Sequence, residues 1–229
     1  MELPDGLVLA CIPEREEAGD CLLSLHYPSL AKLPFGAHVG TSSLRRQAQL
    51  LHIRPDLRIG SLRGNVDTRL RKLQAGQFDA IVLAMAGIKR LGLTAPHMER
   101  LGPPDFLPAV GQGALGIECR ADRSDLIELL APLDHWASRV CVEAERAFLL
   151  GLNGGCQAPI AGHARMCGAT HFTIDAFVAD LDGTGSVRAQ SEGSTDTTVE
   201  TGLKLAEYLL QRGAARLLQK LYATVGTPL

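Results

Sequence analysis

The sequence predicts an α/β chain with two unlike halves: a parallel or mixed sheet flanked by helices, then an α+β unit whose antiparallel sheet carries helices on one face. Three observations predict it. Strand-like apolar runs alternate with helical stripes through the first half. The clearest run, Asp79–Ala84 (DAIVLA), is apolar on successive residues, which means burial on both faces. The second half has three strand-like runs in succession and ends in a long helical stretch.

Leu7–Ile12 (LVLACI) reads as a buried strand. Residues 13–36 are rich in Pro, Gly and acids and are expected to hold short helical pieces at best. Ala37–Gly40 is a short strand that runs into Thr41-Ser42-Ser43 and an amphipathic helix through Leu44, Ala48 and Leu51, with Pro55 beyond its end. Leu57–Leu62 alternates as a strand does. Arg63-Gly64-Asn65 then opens a second helix, striped by Val66, Leu70 and Leu73 and stopped at Gly76. Asp79–Ala84 is a strand, and Gly87–Leu91 a short helix. After the break at Gly102-Pro103-Pro104, the Gly-rich connector Pro108–Ala114 leads to a strand at Leu115–Cys119. Ser124–Leu130 and Ser138–Leu150 read as helices. Ile160–Met166, Phe172–Val178 and Ser186–Glu192 read as strands, with a hairpin-type turn at Asp182-Gly183. A helical stretch from about Thr197 to Tyr222, interrupted near Gly213, closes the chain. A boundary is expected near 131–137, and the sequence has no internal repeat.

The 229 residues suffice for one or two domains with a real core, and a 46% hydrophobic composition excludes wholesale disorder. The longest apolar stretch, Ala80–Ile88 with Gly87 counted, falls far short of the ~20 residues of a membrane span. Met1–Ala10 has acids at Glu2 and Asp5 and no basic run before an apolar one, so no signal peptide is read and the expected compartment is the cytoplasm. Cysteines at 11, 21, 119, 141, 156 and 167 show no C-x-x-C spacing, and the histidines, His135 and His163 among them, show no metal spacing. No metal site is expected. Gly111-Gln112-Gly113 is too short for a nucleotide fingerprint and reads as a hinge.

Charge is distributed unevenly. Residues 41–72 carry eight basic groups, seven of them Arg, against Asp56 and Asp67. That window is +6 in a chain of net charge −2, which leaves −8 elsewhere. Arg grips carboxylates or phosphates in pairs and stays charged, so the window points to an anionic ligand held in one place. Thr41-Ser42-Ser43 at a helix N-terminus offers hydroxyls and free N–H groups to an anion. Arg45 and Arg46 stand in the first turn, where the helix dipole disfavours a cation, and a bound anion would offset that. The plainer alternative is that Ser42 or Ser43 caps the helix and the arginines are solvated. Arg63, Asn65 and Arg69 repeat the theme at the next strand end, and parallel sheets bind ligands at their carboxyl edge. Cys156, between Gly154-Gly155 and Gln157-Ala158-Pro159, is either an attachment point or nucleophile, or a small residue in a tight turn.

Six segments resemble the porphobilinogen deaminase, or hydroxymethylbilane synthase, family, in the family's order and over nearly the whole chain. They are residues 39–47 (VGTSSLRRQ), 61–70 (SLRGNVDTRL), 79–84 (DAIVLA), 86–93 (AGIKRLGL), 107–114 (LPAVGQGA) and 154–159 (GGCQAP). The resemblance implies a transferase of tetrapyrrole biosynthesis. It would condense four porphobilinogen molecules, with release of ammonia, into linear hydroxymethylbilane. The growing oligopyrrole would stand on a dipyrromethane cofactor bound by a thioether to Cys156. By motif, Thr41, Ser42, Ser43, Arg45 and Arg46 would contact the cofactor. Arg63, Asn65, Arg69, Arg90 and Gln112 would bind substrate.

The resemblance also implies three domains. Here residues 1–13 and 114–131 would be a remnant of the first, 14–113 an anion-binding second domain with its hinge, and 132–229 a third domain carrying the cysteine. The family's first domain opens with a segment that has no counterpart in this chain, and its catalytic Asp, in a Lys-Asp motif, would lie there. No catalytic residue is therefore assigned. The expected partners are porphobilinogen and the oligopyrrole, without nucleic acid or membrane, in a monomer unless a second chain supplies the segment. A catalytically incompetent form or a binding subunit is the alternative function. An RNA- or DNA-binding edge is weaker, because aromatic residues are only 4% of the chain and its remainder is acidic.

Overall fold

The computed structural model describes residues 3–153 and 158–225. Its main sheet has five strands: β2 (Asp20–Ser24), β3 (His38–Gly40), β4 (Arg58–Gly60), β5 (Ala80–Ala84) and β6 (His97–Leu101). β1 (Leu7–Cys11) lies outside it. The order across the main sheet is β4-β3-β5-β2-β6. β3 runs parallel to β4 and β5, whereas β2 is antiparallel to both β5 and β6, so the sheet is mixed.

Side-chain alternation builds a core on each face. Leu22, Val39, Ala80 and Val82 point one way and join Leu50 of α1 (Leu44–Ile53). Cys21, Leu23, Ile81 and Leu83 point the other way, towards Leu73 of α2 (Val66–Gln74) and Ile88 of α3 (Met85–Leu91).

Two strands depart from the sequence expectation. Residues 13–36 do hold one short helical turn, Leu30–Lys32, but they also contain β2, an unexpected strand buried at every position. β6 also forms where no strand is expected. It is an edge strand with His97 and Glu99 half-buried and only Leu101 buried, so its polar sequence HMERL gives little apolar signal.

β1 pairs antiparallel with β7 (Ile117–Arg120) in a separate two-stranded sheet, with a bulge between Leu9 and Cys11. α4 (Ser124–Leu130) follows β7. The third sheet has the order β10-β9-β8, from β8 (Ile160–Met166), β9 (His171–Ala179) and β10 (Ser186–Ser194), all antiparallel.

Beside that sheet lie α5 (Trp136–Gly151), α6 (Thr198–Leu209) and α7 (Ala215–Val225), around a core centred on Phe148, Phe172, Ile174 and Leu209. α5 and α6 meet closely at Gly202, where an added Cβ would lie 2.4 Å from the Ala144 carbonyl oxygen. Gly213 adopts φ +114° between α6 and α7, which accounts for the interruption in the helical pattern.

The opposite face of this sheet is not bare. Ala48 of α1 joins Leu107, Ala161, Phe177 and Ala179 in a small apolar cluster. The β9–β10 turn also docks on α1. Gln47 donates to the Leu181 carbonyl at 3.1 Å, and His52 Nδ1 lies 3.1 Å from the Gly183 carbonyl. Gly183 has φ +74°, and a side chain there would strike the α1 backbone.

Candidate functional site

Three parallel strands end on one edge of the main sheet. β3 ends at Gly40 and leads to Thr41-Ser42-Ser43. β4 ends at Gly60 and leads to Ser61. β5 ends at Ala84, where α3 begins. The Thr41 N–H donates to the Gly60 carbonyl and ties the first two loops together. β2 runs the other way, so its first residue, Asp20, sits opposite Ala84 on the same edge.

Asp20 is wholly buried and is the hub of this edge. Its Oδ2 accepts from Arg45 Nη1 at 2.8 Å, and its Oδ1 accepts from Arg46 Nη2 at 2.7 Å and Nε at 3.1 Å. Arg45 also donates to the Leu107 carbonyl at 2.6 Å, and Arg46 to the Val82 carbonyl at 3.2 Å. Gln112 binds the hub from the connector. Its Nε2 donates to Asp20 Oδ1 at 2.9 Å and to the Ala18 carbonyl at 2.5 Å, and its Oε1 accepts from Arg45 Nη2 at 3.1 Å.

Burial alone would raise the Asp20 pKa, but the two guanidinium charges and their hydrogen bonds outweigh it and hold the carboxyl below its ordinary value. Burial lowers the Arg45 pKa against the opposing pull of Asp20. Arg45 Nε is buried with no hydrogen-bond partner among the described residues.

Arg45 and Arg46 thus differ from the expectation of a bound external anion or of solvated side chains. The anion that offsets two cations in the first turn of α1 is supplied by the chain itself, through Asp20. Both arginines are buried rather than solvated. Ser43 is the N-cap of α1 and accepts from the Arg46 N–H at 3.4 Å. Ser42 is exposed, its Oγ 3.2 Å from Ser61 Oγ, and Thr41 is buried, its Oγ1 accepting from the Ser43 N–H.

Arg63, Arg69 and Arg90 have no carboxylate partner among the described residues. Arg69 Nε donates to the Gly64 carbonyl at 2.8 Å. Partial burial and the nearby Arg46 charge lower the Arg69 pKa, so the two cations are neighbours. Arg63 is exposed in the loop before α2, and Arg90 is exposed at the far end of α3. Asn65 caps α2, accepting from the Thr68 N–H at 2.9 Å. Cys156 lies outside the described residues.

A second buried ion pair flanks the first. Glu145 of α5, with no exposed surface, accepts from Arg15 Nη1 at 2.6 Å and Nη2 at 3.1 Å. It also takes the Gly111 and Ala164 N–H groups, at 2.6 and 2.8 Å. Arg15 Nε reaches the Gln112 carbonyl at 2.9 Å. Gln112 therefore stands between the two ion pairs, its backbone on one and its side chain on the other.

Sequence reasoning missed Asp20, Arg15 and Glu145. The available signals were an acid opening the short apolar run DCLLS and an acid on the apolar stripe of α5, beside Ala144 and Phe148.

The arrangement suits a carboxylate ligand. Two buried guanidiniums share one internal anion, and Arg69 has no carboxylate partner among the described residues. Each charge-assisted hydrogen bond to a shielded ligand contributes about 1.5–3 kcal/mol. By contrast, a cleft of about 610 Å³ beside α6 is lined by Glu143, Asp196, Glu200 and Glu207 with only Lys204 opposing, a charge balance that repels carboxylates.

The comparisons with known proteins agree with this chemistry. The family model described as "Porphobilinogen deaminase, dipyromethane cofactor binding domain" matches residues 1–128, and "Porphobilinogen deaminase, C-terminal domain" matches 139–211. The chain belongs to the porphobilinogen deaminase family. The porphobilinogen deaminase of Nitratidesulfovibrio vulgaris, strain Hildenborough, is 63% identical over 224 residues, covering 98% of this chain and 71% of the relative. That of Lawsonia intracellularis is 52% identical, covering 97% and 72%, and that of Syntrophotalea carbinolica 51%, covering 99% and 71%. The cationic edge, from Asp20 to Gln112, falls wholly within the matched cofactor-binding part of the porphobilinogen deaminase family.

The thiols differ in burial. Burial pushes the Cys21 and Cys141 pKa values up to about 11, whereas Cys167 is exposed. A thiolate is the reactive species. Brief treatment of the folded protein with iodoacetamide at pH 7.5, followed by peptide mapping, should label Cys167 well before Cys21 or Cys141. Equal labelling of the three would contradict the packing described.

Proposed function

We propose that this chain is a hydroxymethylbilane synthase, joining four porphobilinogen molecules head to tail with loss of ammonia at each addition and releasing the linear tetrapyrrole by hydrolysis. The observation that carries the proposal is the cationic edge itself: Arg46, with Arg63, Arg69 and Arg90 on the loops and helices that follow the same strand ends; partial burial and the Arg46 charge lower the Arg69 pKa. Porphobilinogen brings two carboxylates, so the anionic charge to be held grows by two with each addition. A row of fixed cations meets that need better than one closed pocket.

The residues present fit a dipyrromethane. Arg45 keeps a buried Nε with no partner among the described residues, Arg46 and Arg69 supply N–H groups to its carboxylates, and the exposed Ser42 hydroxyl supplies a further donor. When bound, this group supplies the pyrrole carbon from which the oligomer extends, and Cys156 is the proposed point of thioether attachment. In this reading Arg45, Arg46, Ser42, Ser43 and Thr41 serve the cofactor side, through side chains or by holding the loop. Arg63, Arg69 and Arg90 serve the incoming pyrroles. Asn65 and Gln112 act through the elements they hold, one by capping α2 and the other by fixing Asp20 and Arg45.

The division into residues 1–13 with 114–131, 14–113 and 132–229 belongs to the same reading, and the three separate sheets among the described residues support it. Among the described residues, no helix is long and apolar enough to cross a membrane.

Incubation of the purified protein with porphobilinogen tests the proposal. Consumption of porphobilinogen with one ammonia released per molecule consumed is the expected result. Absence of consumption by protein shown to be folded would contradict it.

A further inference from the structure

Asp20 poses a question that the reaction alone does not answer. A carboxylate buried inside a carboxylate-binding site competes with the ligand for the same cations. Buried ion clusters are also weak contributors to net stability, because desolvation consumes most of the attraction. Asp20 nevertheless engages both guanidiniums, and its placement is specific. It is the first residue of an antiparallel strand inserted into an otherwise parallel set, which brings its side chain to the edge where β3, β4 and β5 end.

We infer that Asp20 is a positioning residue: it aims the Arg45 and Arg46 guanidiniums at the pyrrole carboxylates and leaves the pair one net positive charge with which to bind them. The inference rests on the proposed reading of this edge as the cofactor site.

The geometry supports aiming. Asp20 takes one guanidinium on each oxygen, so the two arginines cannot turn independently. Gln112 then binds Asp20 Oδ1 with its amide nitrogen and Arg45 with its amide oxygen, which fixes the relative setting of acid and base from a third direction. The Leu107 and Val82 carbonyls each take a further guanidinium hydrogen. These contacts use part of the donor set. Among the described residues, Arg45 Nε is left without a partner and Arg69, whose pKa partial burial and the Arg46 charge lower, has no carboxylate partner. An arginine held in this way loses little rotamer freedom when a ligand arrives, whereas a free one loses most of it. Two cations and one anion leave a single charge, enough to attract a carboxylate and too little to bind anions indiscriminately.

The test follows adduct formation on Cys156, by intact-protein mass, when full-length protein lacking the adduct is given porphobilinogen. Asp20→Ala should form the adduct at least tenfold more slowly than the unaltered protein. Formate at 50 mM, which fits the space left by the carboxylate, should restore most of the rate, and chloride at equal ionic strength should not. Asp20→Asn should show the same loss without rescue, because the amide fills the space.

Arg46→Lys keeps the charge and a bond to Asp20 but loses the two-pronged grip. It serves if Asp20→Ala does not fold, and it should also slow the reaction at least tenfold. Variants that match the unaltered protein within twofold, or rescue by chloride as good as by formate, would overturn the role of Asp20 alone. Unaltered protein that never gains the adduct would overturn the cofactor reading, and this inference with it.

Discussion

Replacement of Glu145 by alanine is expected to destabilise the protein by about 3–5 kcal/mol, the range found when one partner of a buried ion pair is removed. Glu145 has no exposed surface and four donors converge on it: two from Arg15 and the N–H groups of Gly111 and Ala164. Those donors come from three separate places: the segment after β1, the Gly-rich connector, and β8. Alanine would leave the Arg15 guanidinium, whose side chain is only 10% exposed, without its charge partner, and two N–H groups without acceptors. A typical domain has only about 5–15 kcal/mol in hand, so much of its margin would go. Urea unfolding of the variant against the parent measures the effect. Glu145→Gln, which keeps an acceptor and loses the charge, should fall between the two. A change below about 1 kcal/mol for Glu145→Ala would mean that the convergence of donors does not hold these three segments together.

The second large effect concerns the cofactor. Arg45→Ala or Arg46→Ala should reduce the fraction of protein carrying a dipyrromethane at least tenfold, whereas Arg54→Ala should leave it near the parent value. All three arginines belong to or border α1, and all three make several hydrogen bonds, so a general loss of helix stability would affect them alike. Their surroundings differ. Arg45 and Arg46 meet Asp20 at the helix N-terminus. Arg54 follows the other end, where it pairs with Asp56 and donates to the Leu30, Leu33 and Pro34 carbonyls. The mass of each purified, folded variant reports adduct occupancy directly. Similar losses in all three would remove the distinction between the two ends of the helix.

The fold was legible where burial follows a simple period. β5 is apolar on both faces, and α1 and α2 carry clear stripes with stops at their ends, so their positions follow from the residues. β2 was not legible. It is five residues long, opens with an acid, and lies in a segment where charged residues and prolines interrupt the apolar ones. Only its place between β5 and β6 explains why a short, acid-led run is fully buried.

The site was legible as a concentration of arginine but not as a geometry. The sequence placed the cations at strand ends and required an anion near the start of α1. It did not reveal that the anion is Asp20, 25 residues earlier, because the contact depends on β2 running antiparallel to β5. The pairing of Arg15 with Glu145 spans 130 residues, and its one local sign was an acid on the apolar stripe of α5, which does not name the partner.

The central claim is that this cationic edge holds an oligopyrrole primer tethered to Cys156. Intact-protein mass spectrometry with peptide mapping, on freshly purified protein and on Cys156→Ser, tests it most directly. A two-pyrrole mass increment confined to the peptide containing Cys156, and absent from the variant, is the predicted result. An unmodified Cys156, or the same increment in Cys156→Ser, would contradict the account.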